Sequence, residues 1–303
     1  MASKQSDAVK DYWRRMTEAA RAHPNQTLEE VRERVEHYWG DLTAEPGGID
    51  YLEIEVAGLP ALWAVPKGSA EDRVILSLHG GGFVSGSIYT HRKLFGHLAK
   101  AIGARALLTD YRQAPIHPHP APLEDTTAAY RWLLDQGTDA KHVAVVGDSS
   151  GGGLSVSTML RARELGLPTA AAVMLMSPWV DMAVSSHTFE TNRETEAFSY
   201  KEVVAGLAAM FLGGADPKDP LASSLYADLS GLPPMYIQVG GDETLLGESL
   251  QLEENARKAG VDVRLEVFPD QQHTFQMAAG HAPESDDAIQ KLATWVRPKL
   301  GLA

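Results

Sequence analysis

The stretch Gly147-Asp148-Ser149-Ser150-Gly151 follows an apolar run, residues 142–146, and precedes a segment of helical period. A G-x-S-x-G pattern at a strand-to-helix junction places its serine on a sharp turn, and small flanking residues let the strand and the helix approach closely enough for that turn. The amino end of the helix then directs its partial positive charge at the serine oxygen. The pattern alone has low specificity, but in this context it predicts that Ser149 is a nucleophile.

Short apolar runs alternate with helical segments on both sides of this stretch, and such runs are typical of parallel strands covered on both faces. The predicted strands are residues 74–78, 106–109, 142–146, 172–176, 235–239 and 263–268. Residues 51–56 and 59–65, separated by the turn at Gly58, predict an antiparallel hairpin before them. The pattern predicts an α/β protein with an eight-stranded, mostly parallel sheet and helices on both faces. No linker marks a second domain, so residues 1–303 are expected to form one domain.

A second glycine-rich motif, His79-Gly80-Gly81-Gly82-Phe83, follows the first of the parallel strands. Three consecutive glycines expose backbone N–H groups that can converge on one anionic oxygen. This motif therefore predicts a loop that stabilises negative charge next to the nucleophile.

A serine hydroxyl needs a general base at neutral pH, and histidine is the usual choice. His273 lies just past the last predicted strand, where a loop can return to the carboxyl edge of the sheet, and His281 is the alternative. An acid must orient that histidine, and both Asp242 and Glu243 follow the strand at 235–239. The chain order of serine, acid and histidine is the order found in α/β-hydrolases.

Together these motifs resemble the hormone-sensitive-lipase-like (bacterial family IV) carboxylesterases of the α/β-hydrolase superfamily. The resemblance runs from about residue 50 to the C-terminus. Residues 111–121, Tyr-Arg-Gln-Ala-Pro-Ile-His-Pro-His-Pro-Ala, are similar to the family's Tyr-Arg-Leu-Ala-Pro-Glu-His-Pro-Phe-Pro-Ala and are expected to brace the site. The resemblance implies the α/β-hydrolase fold with a helical cap formed by residues 1–45 and 183–212.

The resemblance also implies the roles of individual residues. Ser149 is the expected nucleophile and His273 the expected base. The backbone amides of Gly81, Gly82 and Ser150 are the expected oxyanion hole. Ser150 stands where the family usually has alanine, a departure of little consequence because its backbone N–H is the donor.

The position of the acid departs from the family pattern. The family usually has Leu-Pro-Pro, then Asp-Pro-Leu nine residues after the second proline, and Gly-Val seventeen residues after that aspartate. Counting from Pro234 leads to Glu243, and counting on from Glu243 leads to Gly260-Val261. Glu243 thus aligns without a gap, whereas Asp242 needs a one-residue shift on both sides. We therefore expect Glu243 to be the acid of the triad, with Asp242 as the alternative.

The expected cap contains amphipathic helices. Thr27 with Glu30 predicts a capping box at the start of the second helix. In the insertion, Ser199 is predicted to cap a helix that has Glu202 at its third position. Its predicted apolar face consists of Val203, Val204, Leu207, Met210 and Phe211.

Three apolar residues of the cap are predicted to bind substrate, because apolar side chains under a lid build acyl pockets. They are Met210 and Phe211 in the insertion and Trp13 in the first helix. Trp13 could instead pack within the cap, since it lies on the apolar stripe of its helix, and the same two roles are open to Tyr38 and Trp39 in the second helix.

The composition disfavours several classes of protein. The net charge of −13 argues against nucleic acid and anionic membrane partners. The absence of cysteine rules out disulfides, thiolate nucleophiles and cysteine-ligated metals. We expect a cytoplasmic location, because the sequence has no secretory signal and no apolar stretch long enough for membrane insertion. We expect no metal and no cofactor, and a homodimer through the last strand edge is compatible with the resemblance.

The expected function is therefore hydrolysis of short- to medium-chain carboxylic esters, which are the expected small-molecule partners, and the same machinery suits lactones. One alternative is hydrolysis of amides or thioesters. A second alternative is a catalytically dead ligand-binding protein of this fold, which the presence of His273 disfavours.

Overall fold

The computed structural model describes residues 2–23 and 25–303. Eight strands in these ranges form one sheet. The strands are β1 (Ile49–Val56), β2 (Leu59–Pro66), β3 (Val74–Leu78), β4 (Arg105–Thr109), β5 (Val143–Asp148), β6 (Ala172–Met176), β7 (Met235–Gly240) and β8 (Val263–Phe268). All eight predicted strands are confirmed, each with ends within two residues of the prediction.

The sheet has the strand order β1-β2-β4-β3-β5-β6-β7-β8. The first two strands form the predicted antiparallel hairpin, and β2 also runs antiparallel to β4. All other neighbours are parallel. Every residue of β3, β5 and β6 is buried, which is the reason why these strands read as uninterrupted apolar runs.

Helices cover both faces of this sheet. They are α1 (Lys4–Ala22), α2 (Leu28–Leu42), α3 (Ile88–Ile102), α4 (Ala121–Asp135), α5 (Ser150–Glu164), α6 (Thr188–Thr191), α7 (Lys201–Leu212), α8 (Leu246–Lys258) and α9 (Pro283–Val296). Side chains of β3 alternate between two core layers. Val74, Leu76 and Leu78 pack with α4, α5 and α8, whereas Ile75 packs with α3 and α9. The α/β-hydrolase class of fold predicted from the sequence is confirmed.

The helices α1, α2 and α7 lie beside the carboxyl edge of the sheet. The predicted capping box of α2 is present, with Thr27 and Glu30 bonded reciprocally. The predicted cap of α7 is wrong, because that helix starts after Tyr200 and has no side-chain cap. Ser199 is instead held by its backbone, whose N–H donates to Glu196 and whose carbonyl accepts from the hydroxyl of Thr244.

Trp13 joins the parts of this helical layer. Its ring is fully buried and lies 5.8 Å from the ring of Trp39 in α2 and 4.6 Å from that of Phe198 in the insertion, measured between centroids. One turn further along α1, the hydroxyl of Thr17 donates to the carbonyl of Ala197. Trp13 therefore packs the two N-terminal helices against the insertion.

The helices can also be compared with the thickness of a bilayer. Within the part of the chain that the structure describes, no helix combines the length and the apolarity that a membrane crossing requires.

Trp13→Ala should lower the free energy of unfolding by about 3–5 kcal/mol, because it removes a fully buried indole and leaves a cavity between three elements. Leu250→Ala is the control, since Leu250 is 40% exposed on α8 and its loss should change stability by no more than about 0.5 kcal/mol. Urea denaturation of both variants tests this. Equal stability of the two variants would contradict the packing role of Trp13.

Candidate active site

The site is organised by the turn between β5 and α5. Ser149 is the single residue between these elements and has φ +51° and ψ −121°, a backbone conformation that side chains rarely adopt. Its N–H donates to the carbonyl of Met176 at 2.9 Å, and its carbonyl accepts from the N–H of Trp179 at 2.9 Å. Bonds to β6 and the loop after it therefore hold the turn from both sides.

Glycines on either side allow this turn to form. A Cβ atom at Gly147 would lie 2.2 Å from the carbonyl oxygen of Gly151. A Cβ atom at Gly151 would lie 2.0 Å from the carbonyl oxygen of Leu78. Both distances are far below van der Waals contact, so the G-x-S-x-G spacing follows from the close approach of α5 to β3 and β5.

Ser149, His273 and Glu243 form a hydrogen-bonded chain. The Oγ of Ser149 lies 2.9 Å from Nε2 of His273, and Nδ1 of His273 lies 2.7 Å from Oε2 of Glu243. The other carboxyl oxygen of Glu243 accepts from the N–H of Gly240 at 2.9 Å. Because a carboxylate only accepts, Nδ1 carries the proton and Nε2 presents its lone pair to the serine hydroxyl.

The other candidate acid takes no part in this series of hydrogen bonds. Asp242 accepts from the Nζ of Lys10 at 2.7 Å and from the side-chain amide of Gln272 at 3.3 Å, so it ties α1 to the histidine loop. The structure thus brings Glu243, and not Asp242, to His273. The alternative base His281 is exposed.

Burial and charge act in opposite directions on the histidine. Burial lowers the pKa of His273, but the hydrogen bond and negative charge of Glu243 outweigh it, with further support from Glu196 and Asp148, so that the pKa is raised overall. Burial in turn raises the pKa of Glu243, against the lowering effect of its hydrogen bond with His273. The site therefore favours the protonated imidazole of His273 more strongly than bulk water would.

The glycine-rich loop supplies free amides next to Ser149. Among the described residues, no hydrogen-bond acceptor is bonded to the backbone N–H of Gly81, Gly82 or Ser150. The preceding amide, that of Gly80, donates to Oδ1 of Asp148 at 3.0 Å and so fixes the loop to the turn. A Cβ atom at Gly81, where φ is +122°, would lie 2.0 Å from the carbonyl oxygen of Ser85. Only glycine fits this loop without displacing it.

The stretch at residues 111–121 contacts this loop from behind. The hydroxyl of Tyr111 donates to the carbonyl of His79 at 2.8 Å, and the two rings are stacked with centroids 4.2 Å apart. The N–H of Ala114 donates to the carbonyl of Phe83 at 2.9 Å. The stretch therefore supports the loop and contributes no side chain to the Ser149–His273–Glu243 chain.

A cavity of about 340 Å³ opens onto Ser149, His273, Gly81 and Gly82. Its remaining wall is largely apolar and comes from α1, α2, α7 and four loops: those after β3, β6 and β7 and the one before α7. The apolar side chains in this wall are Met16, Ala20, Val31, Val35, Trp39, Val84, Trp179, Phe198, Val203, Val204, Leu207 and Leu245. Arg21 and Arg34 line the same cavity. The site therefore places a serine hydroxyl, an imidazole and free amides at the end of an apolar pocket.

The three residues predicted to bind substrate lie outside this wall. Phe211 is buried and stacks on Phe83 with centroids 3.6 Å apart. Met210 packs against the core, and Trp13 packs among rings of the cap. On the predicted apolar face of α7, Val203, Val204 and Leu207 line the cavity, whereas Met210 and Phe211, nearer the carboxyl end of the helix, do not.

Of the other wall residues, only Trp39 was considered for the pocket, with packing in the cap as the alternative. Trp39 and Val35 in α2 continue an apolar helical period, which indicates burial but not what the buried face contacts. Phe198 and Trp179 lie in loops, where periodicity carries no information. The position of Phe198 follows from its packing against Trp13 and Trp39. That of Trp179 follows from the bond between its N–H and the carbonyl of Ser149.

Comparison with known proteins places this geometry in a family. A family described as alpha/beta hydrolase fold matches residues 75–277. An acetyl-hydrolase of Streptomyces hygroscopicus is 36% identical over 269 residues, covering 89% of this chain and 88% of that protein. An esterase of Acinetobacter venetianus is 33% identical over 222 residues, covering 73% of each.

A solved structure is also similar over nearly the whole chain. It is an esterase from the bacterial hormone-sensitive lipase family, with 43% identity and a TM-score of 0.94, covering 99% of this chain and 100% of that chain. The chain belongs to the α/β-hydrolase family, and it is a carboxylic ester hydrolase of the hormone-sensitive-lipase-like group.

Proposed function

We propose that the chain hydrolyses short- to medium-chain carboxylic esters through an acyl-enzyme formed on Ser149. The observation that carries this proposal is the continuous hydrogen-bonded chain from the Oγ of Ser149 through His273 to Glu243. A buried acid, an oriented imidazole and a serine hydroxyl in this order are the parts that nucleophilic acyl transfer requires.

The first step is attack of Ser149 on the ester carbonyl. Nε2 of His273 takes the hydroxyl proton as the Oγ–carbonyl bond forms, and the carbonyl electrons move onto the oxygen. The free amides of Gly81, Gly82 and Ser150 stabilise that oxyanion. Glu243 stabilises the imidazolium, because its carboxylate accepts from Nδ1 in both states of the ring.

The second step expels the alcohol and regenerates the enzyme. His273 donates its proton to the leaving oxygen as the bond between that oxygen and the acyl carbon breaks. Water then attacks the acyl-enzyme with His273 again as base, and the acid is released with Ser149 restored. A lactone follows the same two steps with its alcohol and acid in one molecule.

The size of the pocket supports a small substrate. A volume of about 340 Å³ is near the lower end of the roughly 300–1,000 Å³ that is typical of ligand pockets. The apolar wall suits an acyl chain that contributes no polar groups of its own. Residues of α7 lie over the glycine loop, since a Cβ atom at Gly82 would lie 2.7 Å from Leu207.

The proposal is tested by assaying the wild-type chain and Ser149→Ala on p-nitrophenyl esters of increasing acyl length. We expect turnover that peaks at short to medium chains and is lost in Ser149→Ala. Matched amides should react far more slowly. Equal rates in both proteins would overturn the assignment of Ser149, and no turnover of any ester by the wild type would contradict the proposed substrates.

Glu243→Gln should lower kcat by about 10⁴-fold, because a glutamine can present N–H to Nδ1 and so favour the wrong tautomer of His273. Asp242→Asn removes the adjacent carboxylate and its ion pair with Lys10, and it should stay within about tenfold of the wild type. Steady-state kinetics of this matched pair separates the two acids. The reverse ranking would show that Asp242 is the acid of the triad.

Gly81→Ala should lower kcat by about 10²–10³-fold, because the added Cβ displaces the loop and with it the oxyanion donors. Gly58→Ala is the control. Gly58 also has a positive φ, of +83°, but no atom lies within 4 Å of its Cβ position, in the hairpin between β1 and β2. Similar losses of activity in both variants would attribute the effect to general backbone strain.

The pH dependence should show the state of His273. Nε2 must be unprotonated to accept the proton of Ser149, so kcat/KM falls as the pH drops through the pKa of His273. Since that pKa is raised above the ordinary value of 6.5, the acid limb should lie above pH 6.5. In Glu243→Gln the limb should move to lower pH. A wild-type limb at or below 6.5 would contradict the electrostatic account.

A further inference from the structure

The loop that carries Glu243 is held by the first part of the cap insertion, residues 188–199. The side-chain amide of Asn192 donates to two carbonyls of that loop, to Gly241 at 3.1 Å and to Glu243 at 2.9 Å. Two carbonyl oxygens that face the same side chain need two N–H donors, and the NH₂ group of a primary amide has two. Asn192 thus spans the backbone on both sides of the acid.

The remaining carbonyls of the loop are bonded in the same way. The hydroxyl of Thr195 donates to the carbonyl of Asp242 at 2.9 Å, and the hydroxyl of Thr188 donates to that of Thr244 at 2.5 Å. The segment also reaches the histidine loop, because the side-chain amide of Gln272 donates to the carbonyl of Thr195 at 3.0 Å. All four carbonyls of residues 241–244 therefore accept from side chains of the insertion.

A buried carboxylate completes these contacts. Glu196 is only 3% exposed, and its Oε1 accepts from three successive backbone amides, those of Ala197, Phe198 and Ser199. Its Oε2 accepts from the N–H of Thr244 at 2.8 Å. All four partners are backbone N–H donors, which matches a group that only accepts.

Glu196 also contributes charge to the triad. The charged or titratable groups that face His273 are Glu243, Glu196 and Asp148, and Asp148 is itself 3.3 Å from Nε2 of His91. After burial and Glu243, the charge of Glu196 is the next contribution to the pKa of His273, and it raises that pKa. The carboxylate thus favours the imidazolium that forms when Ser149 attacks.

From these contacts we propose that Asn192 and Glu196 are positioning residues of the triad: the segment at 188–199 holds the backbone that aims Glu243 at His273, and Glu196 adds a second negative charge. This inference rests on the proposed function, since it assumes that the triad acts as described. The same segment contributes Phe198 to the wall of the pocket. One hydrogen-bonded unit therefore carries both a wall of the acyl pocket and the alignment of the acid.

Asn192→Ala tests the alignment. It should lower kcat by about 10–100-fold with KM nearly unchanged. A small displacement of Glu243 weakens the stabilisation of the transition state but does not affect substrate binding. Asn255→Ala is the matched control, since Asn255 also donates its side-chain amide to a backbone carbonyl, that of Leu225, but on α8 away from the site. A wild-type kcat in Asn192→Ala, or an equal loss in Asn255→Ala, would overturn the positioning role.

Glu196→Gln tests the charge. The acid limb of kcat/KM should move to lower pH, an effect that a merely structural role would not produce. Glu194→Gln removes the same charge from an exposed position two residues away and should leave the limb in place. A limb unmoved in Glu196→Gln, in protein shown to be folded by its thermal transition, would overturn the electrostatic role.

Glutamine cannot accept at both carboxyl positions, so Glu196→Gln can fail to fold. Glu196→Asp then decides, because it keeps the charge but is too short to reach both sets of donors. It should lower kcat and leave the acid limb at its wild-type position, and a wild-type kcat would overturn the inference. Failure of the proposed function is distinct from these results, because it would appear as a wild-type chain without Ser149-dependent turnover.

Discussion

The close approach of α5 to β3 and β5 is the constraint on which the rest of the site depends. It holds Ser149 in a backbone conformation that costs on the order of 1–3 kcal/mol, and glycines at 147 and 151 are required because any Cβ there would overlap a carbonyl. This conformation places the Oγ of Ser149 beyond the end of β5, next to the amino end of α5. The strain persists because the two backbone bonds of Ser149 connect it to buried β6 and the loop that follows.

The other groups reach this point because parallel strands end at one edge of the sheet. β3 leads into the glycine loop, β7 into the loop of Glu243 and β8 into the loop of His273. Each loop is then fixed by its own contacts: Asp148 and Tyr111 hold the first, and the insertion holds the second. Side chains of the insertion thus bond the backbone around Glu243.

Features that depend on local sequence could be predicted, whereas features that depend on docking could not. The buried strands and the glycine motifs are recognisable from composition and spacing. The spacing of the family pattern, counted from Pro234, led to Glu243, and the structure places Glu243 within hydrogen-bond distance of His273. Periodicity identifies an apolar face of α7 but not which of its turns lies over the cavity, so it does not separate Val203, Val204 and Leu207 from Met210 and Phe211. Ser199 shows the same limit, since a distant carboxylate, Glu196, occupies its backbone N–H and the helix starts one residue later.

The most direct test of the central claim is covalent. Diethyl p-nitrophenyl phosphate should release one p-nitrophenolate per chain and leave a diethylphosphoryl group on Ser149, as mapped by mass spectrometry of the peptide that contains it. The account predicts that this reaction is stoichiometric in the wild type, absent in Ser149→Ala and greatly slowed in Glu243→Gln. Modification at another residue, or an unchanged rate in Glu243→Gln, would contradict the claim that the hydrogen bonds from Glu243 through His273 activate Ser149.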